Sequence, residues 1–176
     1  MSLVLINFVV FQLAWFAVVL SGSGSWHWLG TALVIGIVVI HVFRASRSRD
    51  ELILISAALL IGAAWDSLLV WSGLLSYANG VFHSDLAPHW IVAMWALFAT
   101  TLNISLRWLK GRWLLAIVVG AVGGPLAYYA GYSLGAVEIV DTVQALSALA
   151  IGWAVLMPLL MMLSQRFNGF AHLESR

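Results

Sequence analysis

The sequence predicts an all-α protein, a polytopic membrane helix bundle of about six transmembrane helices with both termini in the cytoplasm. Of its 176 residues, 63% are hydrophobic and only 9% are charged, which is too little polar surface to coat a soluble globule of this size. A helix that crosses ~30 Å of hydrocarbon needs about 20 apolar residues. Six such runs lie near residues 3–20, 26–43, 52–74, 89–107, 113–132 and 142–163. We therefore predict one transmembrane domain over residues 1–176.

The first two runs and the basic residues set the expected orientation. The segment "SGSGS" at residues 21–25 has the composition of a tight loop rather than of a cleavage site, so the first run is predicted to be a retained helix. Basic residues in short loops stay on the cytoplasmic side during insertion. With the N-terminus inside, all eight basic residues fall in inner segments: Arg44, Arg47, Arg49, Arg107, Lys110, Arg112, Arg166 and Arg176. The bacterial inner membrane is the expected location.

The third run carries an acid, Asp66, about 14 residues from its predicted start. At 1.5 Å per residue, Asp66 lies ~20 Å from the cytoplasmic edge, in the outer third of the membrane. Ala58, Gly62, Leu69 and Gly73 share its helix face, and small residues mark the face that packs against another helix. We therefore expect Asp66 to point into the bundle.

The outer loops are acidic and contain histidine, and two interpretations remain open. Selection against outer Lys and Arg leaves such loops acidic by default. Alternatively, "HSDLAPHW" at residues 83–90 and "EIVD" at residues 138–141 close over a site that handles protons, a metal or a polar headgroup. Two histidines four apart on a helix, a common zinc spacing, do not occur, and the chain has no cysteine. We predict no metal site and no cofactor.

The fifth run, with "GAVGGPLAYYAGYSLGA" at residues 120–136, supplies a partner surface for Asp66. Small residues form one stripe along it: Gly120, Gly124, Ala127, Gly131 and Gly135. We predict that Asp66 lies at the mouth of an outward-facing polar pocket and is hydrogen-bonded to a tyrosine such as Tyr128 or Tyr132. The alternative is a structural hydrogen bond that locks the third helix to its neighbour.

The candidate site residues follow from this hypothesis. General acid–base chemistry would need its groups within about 3 Å of each other or of a substrate. The candidate catalytic residues are Asp66, Tyr128, His89 and Asp85. The candidate ligand-binding residues are Asp66, Trp65, Tyr128, Tyr132 and Gly124. Three tryptophans deep in the runs either pack the core or line a lipid-shaped groove: Trp65, Trp95 and Trp153.

Three segments in order carry a resemblance to a known family: "WDSLLVWSGLLSY", "APHWIVAMWALFATTLNISLRWL" and "GAVGGPLAYYAGYSLGA". Together they resemble a family of small bacterial inner-membrane proteins catalogued as domain of unknown function 2878. The resemblance implies no activity and no residue roles. It implies proximity to lipid metabolism, because members tend to be encoded near enzymes that modify membrane fatty acids, such as relatives of cyclopropane-fatty-acid synthase.

Three classes of function therefore remain open. The leading expectation is an accessory or scaffold protein in fatty-acid modification, which needs no catalytic residues. The second is a lipid-binding protein or lipid-modifying enzyme with an outward-facing pocket around Asp66, and the third is a small proton-coupled transporter. The expected partners are membrane lipids and other lipid-modifying membrane proteins. A net charge of +1 gives no basic surface for nucleic acid.

Overall fold

A computed structural model of the chain describes residues 2–171, so Met1 and residues 172–176, with Arg176 of the predicted inner tail, lie outside the described residues. The described part folds into six α-helices and two short strands. In chain order these are α1 (Leu3–Gly22), α2 (His27–Arg44), α3 (Ser48–Trp71), β1 (Leu75–Ser76), α4 (His89–Leu102), α5 (Trp113–Ser133), β2 (Glu138–Ile139) and α6 (Thr142–Arg166). Five helices, α1, α2, α3, α5 and α6, are long and apolar enough to cross a membrane. The predicted all-α polytopic bundle is confirmed.

The shorter helix α4 is the hub of the bundle. It packs against α1, α2 and α3, whereas α5 packs mainly against α6, and α6 in turn contacts α3. Over their described lengths, α1 and α5 do not form a packed interface with each other. The two halves of the bundle therefore meet through α3, α4 and α6, and a gap is left between α1 and α5.

The prediction that the fourth helix extends to residue 107 is wrong, because α4 ends at Leu102. Its 14 residues span about 21 Å, less than the hydrocarbon core. Asn103 ends the helix and turns its side chain to Glu51 on α3, and a 3-10 turn follows at Arg107–Leu109. The connecting backbone is covered by protein, since Asn103 and Leu109 are buried, as non-helical chain at membrane depth must be.

Two loops meet at one end of the bundle, which we call the sheet end. Strand β1 pairs antiparallel with β2, with Leu75 opposite Ile139. Gly73 and Gly135, which follow α3 and α5, adopt positive φ of 73° and 74°, the left-handed turn that commonly terminates helices. The prediction that these two glycines extend the packing stripes is therefore wrong, because both lie beyond the ends of their helices.

Tryptophan rings lie directly against glycines where helices cross. A Cβ atom added at any of these glycines would overlap the facing indole, so only glycine lets the helices approach. The four pairs are Trp90 on Gly22, Trp95 on Gly62, Trp65 on Gly152 and Trp153 on Gly124. The deep tryptophans Trp65, Trp95 and Trp153 thus all pack the core, and Trp95 and Trp153 also border the cavity described below.

Candidate functional site

Asp66 is fully enclosed at the junction of three helices, with 0% of its surface exposed. Its Oδ2 accepts a hydrogen bond of 2.6 Å from the indole Nε1 of Trp95 on α4. Its Oδ1 accepts one of 2.5 Å from the hydroxyl of Tyr128 on α5. The prediction that Asp66 faces the bundle and bonds a tyrosine is confirmed for Tyr128. Gly62, one turn before Asp66, makes this possible because it lets the Trp95 ring lie against α3.

The prediction that Asp66 lies at the mouth of a polar pocket is wrong. Trp95 and Tyr128 cover the carboxyl, and the cavity beyond them is lined almost wholly by apolar side chains. Tyr132 takes no part, since its ring is 46% exposed and lies 6.0 Å from that of Tyr129. The Asp66 group therefore supports the wall of the cavity from behind.

A cavity of about 490 Å³ fills the gap between α1 and α5, and we call it the lateral groove. Helices α1 and α5 flank it, and side chains of α4 and α6 form its floor. At the sheet end it is closed by Tyr77, Ala136 and Val137. Six residues illustrate its apolar wall: Phe11, Trp15, Phe98, Gly123, Trp153 and Met157. Its volume is within the range of ~300–1,000 Å³ that is usual for small-molecule sites.

The structure brings some candidate residues to the groove and leaves others away from it. Tyr128 and Gly124 line it directly, and Asp66 lies behind Tyr128. Trp65 is not part of the lining and packs on Gly152 of α6. The ligand-binding roles of these residues stay predictions.

His89 and Asp85 lie apart from Asp66. The two ring nitrogens of His89 contact His27 Nδ1 at 2.9 Å and Thr31 Oγ1 at 2.7 Å, and the ring stacks on Trp28 with centroids 3.8 Å apart. These contacts tie α4 to α2. Asp85 is exposed in the loop before α4, where its Oδ2 lies 3.7 Å from His83 Nδ1. Residues 2–171 contain no group of three or more His, Cys, Asp or Glu side chains that could hold a metal ion.

A second buried polar group, which the sequence analysis missed, lies at the opposite end of α3. Glu51 is 0% exposed, and its Oε2 lies 2.8 Å from His41 Nε2. Its Oε1 accepts hydrogen bonds from Asn103 Nδ2 at 2.5 Å and from the backbone N–H of Gly169 at 3.0 Å. This Glu51 cluster joins α2, α3, the end of α4 and the chain after α6. We call its side of the bundle the Glu51 end.

A signal for Glu51 was present in the sequence. It lies on the same helical stripe as Asp66, at the spacing that places Leu54, Ala58 and Gly62 between them. The two carboxyls are fifteen residues apart, about 22 Å along the helix. The buried side chains between them on α3 are apolar, so this face of α3 offers no chain of polar groups between the two acids.

These observations define a class of protein, a polytopic α-helical membrane protein with a lateral apolar groove next to a buried, doubly hydrogen-bonded carboxyl. Residues 4–159 match the model of the family described as "Protein of unknown function (DUF2878)", and the chain belongs to that family. The resemblance found in the sequence is thereby confirmed. No curated protein and no solved structure matches the chain.

Proposed function

We propose that the protein binds a membrane lipid in the lateral groove and acts as an accessory protein to enzymes that modify membrane fatty acids. The observation that supports lipid binding is the groove itself, an apolar cavity of about 490 Å³ flanked by two membrane-spanning helices. Water has too few polar partners on such walls. An acyl chain from the surrounding bilayer matches their chemistry and reaches them sideways between α1 and α5.

The shape of the groove supports a single elongated apolar ligand. On α5 its lining runs from Val119 to Gly131, about 18 Å along the helix. Exposed Phe16 on α1 and Leu126 on α5 form the two rims. The rims face the lipid side of the bundle, and the floor lies against α4 and α6. A lipid tail can thus lie along the groove while its headgroup stays at the membrane surface.

The enzyme and transporter alternatives receive less support. Asp66 accepts hydrogen bonds from two protein donors, and the other candidate catalytic groups, His89 and Asp85, bond to different partners. A transporter would be expected to carry its polar site near the midplane, whereas the buried face of α3 is apolar between Glu51 and Asp66. The accessory role and the enzyme partners rest on the proximity to lipid metabolism that the family resemblance implies, and the lipid site rests on the groove.

We also propose that the Glu51 end faces the cytoplasm of a bacterial inner membrane. The described basic residues all lie in segments that the fold places at this end: Arg44, Arg47, Arg49, Arg107, Lys110, Arg112 and Arg166. Because the chain has no cysteine, a Ser84→Cys variant should react with a membrane-impermeant thiol reagent added to spheroplasts. Protection of that thiol until the membrane is opened would contradict this orientation.

Filling the groove should remove the bound lipid. Gly123 lines the groove, and a Cβ atom added there meets nothing within 4 Å, so Gly123→Leu is expected to fold normally while its side chain occupies ligand space. We expect lipid retained through purification, measured by mass spectrometry, to fall by about fivefold or more, a loss of ~1 kcal/mol of binding free energy.

The matched control is Gly36→Leu on α2. Gly36 also has nothing within 4 Å of an added Cβ and is exposed on a transmembrane helix, but it lies outside the groove. Gly36→Leu should retain lipid at the wild-type level. Equal retention by both variants and the wild type would contradict the proposed function.

A further inference from the structure

Tyr77 has an unmatched hydrogen-bond donor at the sheet end of the groove. Its ring lies edge-on to Trp90, with centroids 5.5 Å apart, and it lines the groove. Its hydroxyl is buried, and within residues 2–171 it has no hydrogen-bond partner. A buried hydroxyl is almost always paired, so an unpaired one next to a cavity points to a ligand atom that pairs with it.

The neighbouring groups determine what kind of atom this is. Burial first, and the nearby Asp66 carboxyl second, raise the pKa of Tyr77 well above its usual value, so its hydroxyl stays protonated and remains a donor. Both oxygens of Asp66 already accept hydrogen bonds, from Trp95 and Tyr128. The Tyr77 hydroxyl is therefore a hydrogen-bond donor without an acceptor at this end of the groove, and a ligand that pairs with it must supply an acceptor atom.

The depth of Tyr77 matches a particular part of a membrane lipid. Tyr77 directly follows β1 and so lies beyond the end of the membrane-spanning helix α3. The neighbouring Tyr128 lies five residues before the end of α5, only about 8 Å along the helix from the same end of the bundle. Lipid ester groups lie where the ~30 Å hydrocarbon core meets the headgroup layer. An ester carbonyl at this boundary is an uncharged acceptor. The acyl chain attached to it would run along the groove toward the membrane interior, past Phe98 and Met157.

We infer that the lateral groove recognises an ester-linked lipid, with the Tyr77 hydroxyl donating a hydrogen bond to an ester carbonyl and the acyl chain lying along the groove. The inference rests on the proposed function, since it names the class of lipid that the groove takes. Tyr128 donates its hydroxyl hydrogen bond to Asp66 and is therefore not available to the ligand. Its ring forms part of the groove wall near that carbonyl. An alkyl ether of the same length fills the groove but leaves the Tyr77 hydroxyl without a strong acceptor.

The test compares two lipids that differ only at this carbonyl. Diacyl phosphatidylglycerol and its dialkyl ether counterpart, with equal chain lengths, are offered to the purified full-length protein, and binding is measured by native mass spectrometry. The wild type is expected to bind the ester lipid about fivefold to tenfold more tightly, because one buried hydrogen bond is made or lost. Tyr77→Phe should abolish this preference, and Tyr132→Phe, which removes an exposed hydroxyl on α5 outside the groove, should keep it.

Each outcome separates the two proposals. Equal binding of ester and ether lipids by the wild type overturns the ester inference and leaves the groove as a lipid site. Binding of neither lipid overturns both the ester inference and the proposed lipid site. The groove would then hold water or a side chain of a partner protein instead of a lipid. A preference that persists in Tyr77→Phe shows that another group reads the carbonyl. The wild-type comparison does not depend on any variant folding correctly.

Discussion

Replacing Glu51 with alanine is expected to lower the free energy of unfolding by about 3–5 kcal/mol, because buried donors at about 1–3 kcal/mol each lose their acceptor. The Asn103 side chain loses one of its two hydrogen bonds and keeps the one to the Phe167 carbonyl, the Gly169 backbone N–H loses its acceptor, and His41 loses its carboxylate partner. The alanine also leaves a cavity where a fully buried side chain stood. We expect this to be among the most destabilising single substitutions in the chain.

The conservative variant Glu51→Gln separates hydrogen bonding from size. Its amide oxygen can still accept from Asn103 and Gly169, and its amide nitrogen can donate to a neutral His41 ring in the matching tautomer. We expect a loss of about 1 kcal/mol or less. Thermal or denaturant unfolding of the purified protein measures both variants.

Hydrogen exchange shows which segment is destabilised when Glu51 is replaced. The Gly169 carbonyl accepts hydrogen bonds from the N–H groups of Ser46 and Arg47, so residues 167–170 are held against the α2–α3 turn. Loss of Glu51 should increase hydrogen exchange in this segment more than in α1. If Glu51→Ala unfolds at the same denaturant concentration as Glu51→Gln, the Glu51 cluster does not stabilise the fold as described.

Replacing Asp66 with leucine is expected to cost about 1–3 kcal/mol of stability, because two interhelical hydrogen bonds in a membrane protein contribute roughly 0.6–1.7 kcal/mol each. Trp95 Nε1 and the Tyr128 hydroxyl would both lose their acceptor in a fully enclosed site. Asp66→Asn should cost less than about 1 kcal/mol. Its carbonyl can accept from Trp95, and its amide can donate to Tyr128 once that hydroxyl rotates.

The asparagine variant also tests what Asp66 does. If Asp66 only supports the groove wall, Asp66→Asn should retain lipid as well as the wild type and should restore the fatty-acid profile of cells that lack the gene. Unfolding curves, retained lipid and membrane abundance are measured together. A stable, abundant Asp66→Asn protein that retains no lipid would show that the acid acts on the ligand, which contradicts a purely supporting role.

Much of the fold follows from the sequence because its main determinants are local. Apolar length and basic-residue placement depend on neighbouring residues, so the helices are found at nearly the predicted positions. The inward direction of Asp66 also follows from the small residues on its own helix face. The Tyr128 partner was predictable because a second small-residue stripe on α5 places that ring toward the bundle interior.

The remaining features depend on contacts between distant segments. The end of α4 at Leu102 is accompanied by the hydrogen bond from Asn103 to Glu51, which lies 52 residues away in the chain. The groove exists because α1 and α5 are not packed together, which no pattern within either helix indicates. The unpaired hydroxyl of Tyr77 is visible only once the two strands place it over the groove.

The most direct test of the lipid site is a photocrosslinking map. A phospholipid with a diazirine midway along one acyl chain is incorporated with the purified protein into nanodiscs, irradiated, and the adducts are located by peptide mass spectrometry. The lateral groove predicts adducts on Met157, which is only 3% exposed, and on Phe98, at levels above those on the mid-helix residues Leu60 and Val155, which are 67% and 64% exposed and lie outside the groove. Adducts distributed in proportion to exposure, with Met157 unmodified, would contradict a lipid chain in the groove.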